Sequence, residues 1–180
     1  MCDMERGGRR MHAEAGDPED LPVHALSAAE ALLVWGIRHW VACLKAKTDP
    51  IPLMAAGFGS NGVARAVRPL EGILLITLEA ATSPRDVRCT RCASVGDGER
   101  DLLAAVALAQ AHRRGECGAR LREWLPPASA RLAQDLVAEI GGILHDRGLI
   151  VPMRREYGVR CRGASHQDLR VAVPASLSVH

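Results

Sequence analysis

Cys89-Thr90-Arg91-Cys92 sets two thiols three residues apart. At that spacing two sulfurs can share one metal ion or close on each other as a disulfide. The pair lies in a polar, Arg-rich loop, residues 83–98, between two apolar segments, with Arg85, Arg88 and Arg91 around it. Cations beside a thiol lower its pKa and favour the thiolate, the form that ligates and attacks. The same charge also keeps an ordinary loop solvated. Cys89 and Cys92 are therefore the candidate metal ligands, and zinc the candidate ion.

Zinc takes four ligands, commonly two pairs of Cys or His. His112 and Cys117 extend the string to C-x2-C-x19-H-x4-C. If residues 99–114 form a helix, His112 lies roughly 20 Å along its axis from the start. The loop after Cys92 reaches that far only when nearly extended. The pair thus reads as a half-site, to be completed by Cys161, by a loop folded far back, or by a second subunit. Redox chemistry is the other use of the spacing. Thioredoxin-like sites put the pair near a βαβ pattern, and here Gly96-Asp97-Gly98 follows instead.

Three further constellations carry chemistry on paper. Residues 57–62, Gly-Phe-Gly-Ser-Asn-Gly, match the G-x-G-x-x-G dinucleotide fingerprint, with Glu79 near the place of a ribose-binding acid. A nucleotide-binding enzyme built on them requires strands at 53–56 and 73–78. Pro69 interrupts the helix between them, and no further β-α alternation follows. Residues 103–125 fit a helix-turn-helix with Arg120 and Arg122 on the recognition helix. Arg114 and Glu116 flank its turn where apolar packing is wanted, and a net charge of +2 gives little field for phosphate. His39 and Cys43 lie one helical turn apart, the contact that a Cys–His nucleophile needs. A buried Cys beside a half-exposed His is the commoner meaning of that spacing.

The elements that position these residues are mainly helical. The chain has 180 residues and is 48% hydrophobic, mostly Ala, Leu and Val, which suits one compact domain built from helices. Ser27 and Glu30 form a capping box that opens a helix to about Lys47, with Leu33, Ile37, Trp40, Val41 and Leu44 on one face. Trp35 falls on another face, against a partner or under the tail. Asp49-Pro50-Ile51-Pro52 stops the helix. Pro69 suits the first turn of a helix to Ala81, although 73–78 also reads as a strand. Further helices are expected over 99–114, 118–125 and 128–147. The last presents Leu132, Leu136, Ile140, Ile143 and Leu144.

The expected architecture is an all-α, single-domain bundle of about five helices. Residues 1–25 form a disordered polar head with acidic excess, 26–148 the helical domain, and 149–180 an extended Arg-rich tail. No apolar stretch follows the N-terminal arginines, and the most apolar run, 72–78, is far short of the roughly 18–20 residues that span a bilayer. The chain reads as cytoplasmic, with reduced or metal-bound thiols. No acid/base constellation is visible in order along it. The functional expectation is a protein-binding or regulatory module rather than an enzyme. Its partner is another protein or a second copy; nucleic acid and a nucleotide are the alternatives.

Overall fold

A computed structural model describes residues 21–158 of the chain. They form an all-α bundle of six helices, with no strand among them. Helix α1, Ala28–Ala46, opens on the expected capping box. The Ser27 hydroxyl accepts the Glu30 amide at 3.3 Å, and the Glu30 carboxylate accepts the Ser27 amide at 2.6 Å. Leu33, Ile37 and Trp40 point into the core, while Val41 and Leu44 lie at its edge.

Helix α1 closes at Lys47, which adopts the left-handed conformation at φ 56°, and the prolines beyond it begin another helix. Helix α2, Ile51–Ser60, takes Pro52 in its first turn, where no intrahelical amide is needed. The Asp49 carboxylate accepts the Ile51 amide at 2.9 Å. Most of the glycine-rich fingerprint therefore lies inside a helix. Gly57 is required by packing: a Cβ there would stand 2.3 Å from the Trp35 ring. Half-buried Trp35 thus packs against α2, its ring tilted 4.5 Å from that of His39 and 6.4 Å from that of Phe58.

Helix α3, Val67–Ala80, carries Pro69 in its first turn and buries Leu70, Ile73 and Leu74. Residues 53–56 and 73–78 are helical, so neither strand of the nucleotide-binding reading exists. Helix α4, Asp97–Gln110, is buried continuously from Glu99 to Leu108 and is the central rod of the bundle. It ends earlier than expected, where His112 adopts the left-handed conformation at φ 56°. Helix α5, Arg114–Leu121, and helix α6, Pro127–His145, complete the set.

The inward face of α6 differs from the leucine stripe. Ala130, Ala133, Val137, Ile140, Gly141 and Leu144 are buried, whereas Leu132 is 63% exposed. Helix α6 packs against both α3 and α4, and the tight point is on α3, where Gly72 faces Leu136. A Cβ on Gly72 of α3 would already touch Leu136 at 3.0 Å, and one on Gly141 would meet Gln110 at 3.4 Å.

Residues 149–158 run along the bundle. The Gln110 amide donates to the carbonyls of Gly141 (3.2 Å) and Leu149 (2.9 Å), and its oxygen accepts the Val151 amide at 2.9 Å. Val151 and Tyr157 are buried. The expected head up to residue 20 and the tail from residue 159, with Cys2 and Cys161, lie outside the described residues.

Candidate functional site: the Cys89–Cys92 turn and its mount

The segment from α3 to α4 has to double back over the bundle, and two glycines allow it. Added Cβ atoms on Gly96 and Gly98 would stand 2.7 and 2.9 Å from the Asp86 carbonyl oxygen. That carbonyl instead accepts the Gly98 amide at 2.9 Å. At the tip, the Cys92 amide donates to the Cys89 carbonyl at 3.1 Å, closing a turn around Thr90 and Arg91. Cys89, Thr90 and Arg91 are exposed, and Cys92 is half-buried. The two sulfurs are joined as a disulfide across a Cα–Cα distance of 5.2 Å. They are not in the reduced form expected from a cytoplasmic reading.

Beneath the turn lies an ion pair that pattern reasoning missed. Arg38 of α1 and Glu99 of α4 meet at 2.7 Å, with side chains 4% and 0% exposed. Arg38 also donates to the Cys92 carbonyl (2.8 Å) and the Ser94 carbonyl (2.7 Å). Glu99 accepts the Arg88 amide (3.2 Å) and the Gly96 amide (2.8 Å), besides a second bond from Arg38 at 3.0 Å. One buried pair thus holds the backbone on both sides of the Cys turn. The segment before α1 adds a second hold: Val23 donates to the Ala93 carbonyl, and Val95 donates to the Leu21 carbonyl. The available signal for Arg38 was a cation one residue from Ile37, on the edge of an apolar face.

The three arginines near the thiols are not equivalent. Arg85 is paired with Asp101 at 2.7 Å and stacks over Trp124 at 5.4 Å. Arg88 lies 2.9 Å from the Asp86 carboxylate. Arg91 projects from the exposed tip. Much of the expected cationic field around the thiols is therefore matched by acids.

The other candidate residues are placed elsewhere. His112 follows the far end of α4, about 20 Å along the helix from its start. Cys117 is buried; its thiol donates to the Ala105 carbonyl at 3.5 Å, and burial pushes its pKa up to about 11. With His112 and Gln134 it lines a separate cleft of about 260 Å³. Among the described residues no three His, Cys, Asp or Glu side chains are grouped to hold a metal ion. His39 lies with Nδ1 2.8 Å from the Trp35 carbonyl, so that nitrogen is engaged within its own helix.

The helix-turn-helix reading required Arg120 and Arg122 exposed together. Arg122 is exposed, but Arg120 is 15% exposed and committed to Asp101 at 2.7 Å, to Glu123 and to the Tyr157 carbonyl. Asp101, inside the central helix, is what turns Arg120 inward. Gly115, between Arg114 and Glu116 where that reading placed its turn, lies inside α5.

A second buried acid, Glu30, holds the strap that follows α6. Arg154 donates to both its oxygens at 2.7 and 2.8 Å, and the Tyr157 hydroxyl donates to it as well. Burial alone would raise the Glu30 pKa; the bonds from Arg154, Tyr157 and Ser27 outweigh it and hold the carboxyl below its usual value. Among the described residues no helix is long and apolar enough to cross a membrane. Compared with known proteins, the chain matches no family model, no curated protein and no solved structure.

Proposed function

We propose that the chain is a small helical regulatory module that engages another protein through the exposed tip of the Cys89–Cys92 turn. The observation that supports this reading is the mount. A fully buried Arg–Glu pair, with four bonds to loop backbone, is spent on the shape of one surface turn. Buried ion pairs contribute little net stability compared with apolar packing, and their best-attested use is to specify one arrangement. Here the specified arrangement displays Thr90 and Arg91 between two sulfurs.

The test is site-specific photo-crosslinking in cells. A photoreactive residue replaces Thr90 in one chain and exposed Asn61, outside the turn, in another. A discrete adduct from position 90 alone supports the reading, provided that Arg91→Glu weakens binding of the purified partner at least tenfold. Equal adducts from both positions, or none from position 90, overturn it.

A second reading rests on the same geometry. When reduced, Cys89 and Cys92 offer two thiolates to one zinc ion, with Cys161 or a second copy of the chain supplying the rest. Elemental analysis of the purified chain, against a Cys89→Ser/Cys92→Ser control, tests it. Near-stoichiometric zinc lost in the control supports the half-site; a folded, metal-free wild type removes it.

A further inference from the structure

We infer that Cys89 and Cys92 form a reversible dithiol–disulfide couple for exchange with thiols, with Cys89 as the sulfur attacked and Cys92 as the resolving sulfur. This rests on the reading of the Cys turn as the working surface, and it adds the chemistry of that surface. Two observations carry it. Cys89 is exposed and Cys92 half-buried, so an incoming thiolate reaches one sulfur more readily than the other. The turn is also held independently of its sulfur bond. Arg38 grips the Cys92 and Ser94 carbonyls, Glu99 grips the Arg88 and Gly96 amides, and the Cys92 amide closes on the Cys89 carbonyl. Breaking the sulfur bond removes none of these. The reduced thiols stay within reach of each other, and closing the bond again is an intramolecular step at high effective concentration.

The exchange balances as follows. A thiolate RS⁻ attacks Cys89 Sγ; the new S–S bond forms as the Cys89–Cys92 bond breaks, and the electron pair leaves on Cys92 Sγ. A second RS⁻ attacks the R sulfur of the mixed disulfide, releasing RSSR and leaving Cys89 as thiolate. Two external thiols are oxidised, the turn gains two electrons, and the two thiolates take protons from water according to pH. In reverse, Cys89 thiolate attacks RSSR, and Cys92 thiolate then displaces RS⁻ from the mixed disulfide. Arg38 and Glu99 act as positioning residues.

Glutathione is the probe, used on the full chain, with Cys89 and Cys92 followed by alkylation and peptide mass spectrometry. Cys92→Ser is expected to take up oxidised glutathione at Cys89 at least tenfold faster than Cys89→Ser takes it up at Cys92. In glutathione redox buffers, the folded wild type is expected to close the pair with an effective concentration at least tenfold above that of the same chain unfolded in urea. Arg38→Lys and Glu99→Gln are expected to lower that ratio toward one. Equal uptake by the two serine variants, or equal effective concentrations for folded and unfolded wild type, overturns the inference. The wild-type comparison decides the matter alone if the mount variants do not fold. No step uses a protein partner, so exchange can fail while crosslinking at Thr90 succeeds, and the reverse.

Discussion

Glu30 and Glu99 occupy the same position in two helices and do different work. Each is the third residue of its helix, each reaches back to the amide that precedes the helix, and each is fully buried against an arginine. For Glu99 the arginine comes from inside the bundle, on α1, and the pair shapes the loop that carries the two thiols. For Glu30 it comes from Arg154 on the strap after α6, where the arginine is 22% exposed. A helix-start glutamate can thus be a tertiary anchor as well as a cap. What it anchors depends on how far its partner can retreat into water.

That difference sets the order of the expected losses. Glu99→Ala strands Arg38 in the core, and a buried ion pair broken on one side costs about 3–5 kcal/mol. Urea unfolding should show a loss of that size; a loss below about 1 kcal/mol would mean that water reaches Arg38. Glu30→Ala should cost less, about 1–3 kcal/mol, because Arg154 can turn outward. Hydrogen exchange should place the effect at residues 151–158. Glu30 also links stability to acid. Its carboxyl titrates lower in the folded chain than in the unfolded one. It therefore stabilises above the ordinary carboxylate pKa, and that contribution is lost as pH falls through the lowered value. Glu30→Gln should flatten the acid limb of a stability–pH profile.

Ser27→Ala removes the cap and one 3.3 Å bond to the Ile150 carbonyl but leaves the Arg154–Glu30 pair, and should cost about 1 kcal/mol. The smallest global effect is expected for Arg38→Met with Glu99→Leu. Apolar replacement of a whole buried pair is often neutral or better, yet the amides of residues 88–96 should exchange faster. If they do not, the pair does not shape the turn.

The helices themselves were legible where one physical signal dominated. Ser27 with Glu30, and Pro69 in a first turn, marked their helices correctly. Pro50 and Pro52 were read only as terminators, whereas α1 ends on left-handed Lys47 and the prolines open α2, where a first-turn residue needs no amide. Of the expected stripe on α6, Ile140 and Leu144 are buried and Leu136 and Ile143 pack against the core; Leu132, 63% exposed, is the one that does not. The buried face is turned so that Ala130, Ala133, Val137 and Gly141 join Ile140 and Leu144, a rotation the leucine spacing does not display. Gly57 looked like a phosphate turn because a sequence does not display the Trp35 ring that needs the space. The thiol pair was found by its spacing. Its mount was not, since Arg38 and Glu99 lie 61 residues apart and only the fold brings them together.

The lean of α3 on α6 also bears on how the chain is made. Gly72 meets Leu136, and Val151 is received by Gln110, so the core is completed only by late segments. A ribosome adding about 5–20 residues per second leaves Leu70 and Ile73 without part of their cover for several seconds. A nascent chain stalled after α5 should accordingly bind chaperones and be cut readily by protease. One extended through Tyr157 and clear of the exit tunnel should resist both.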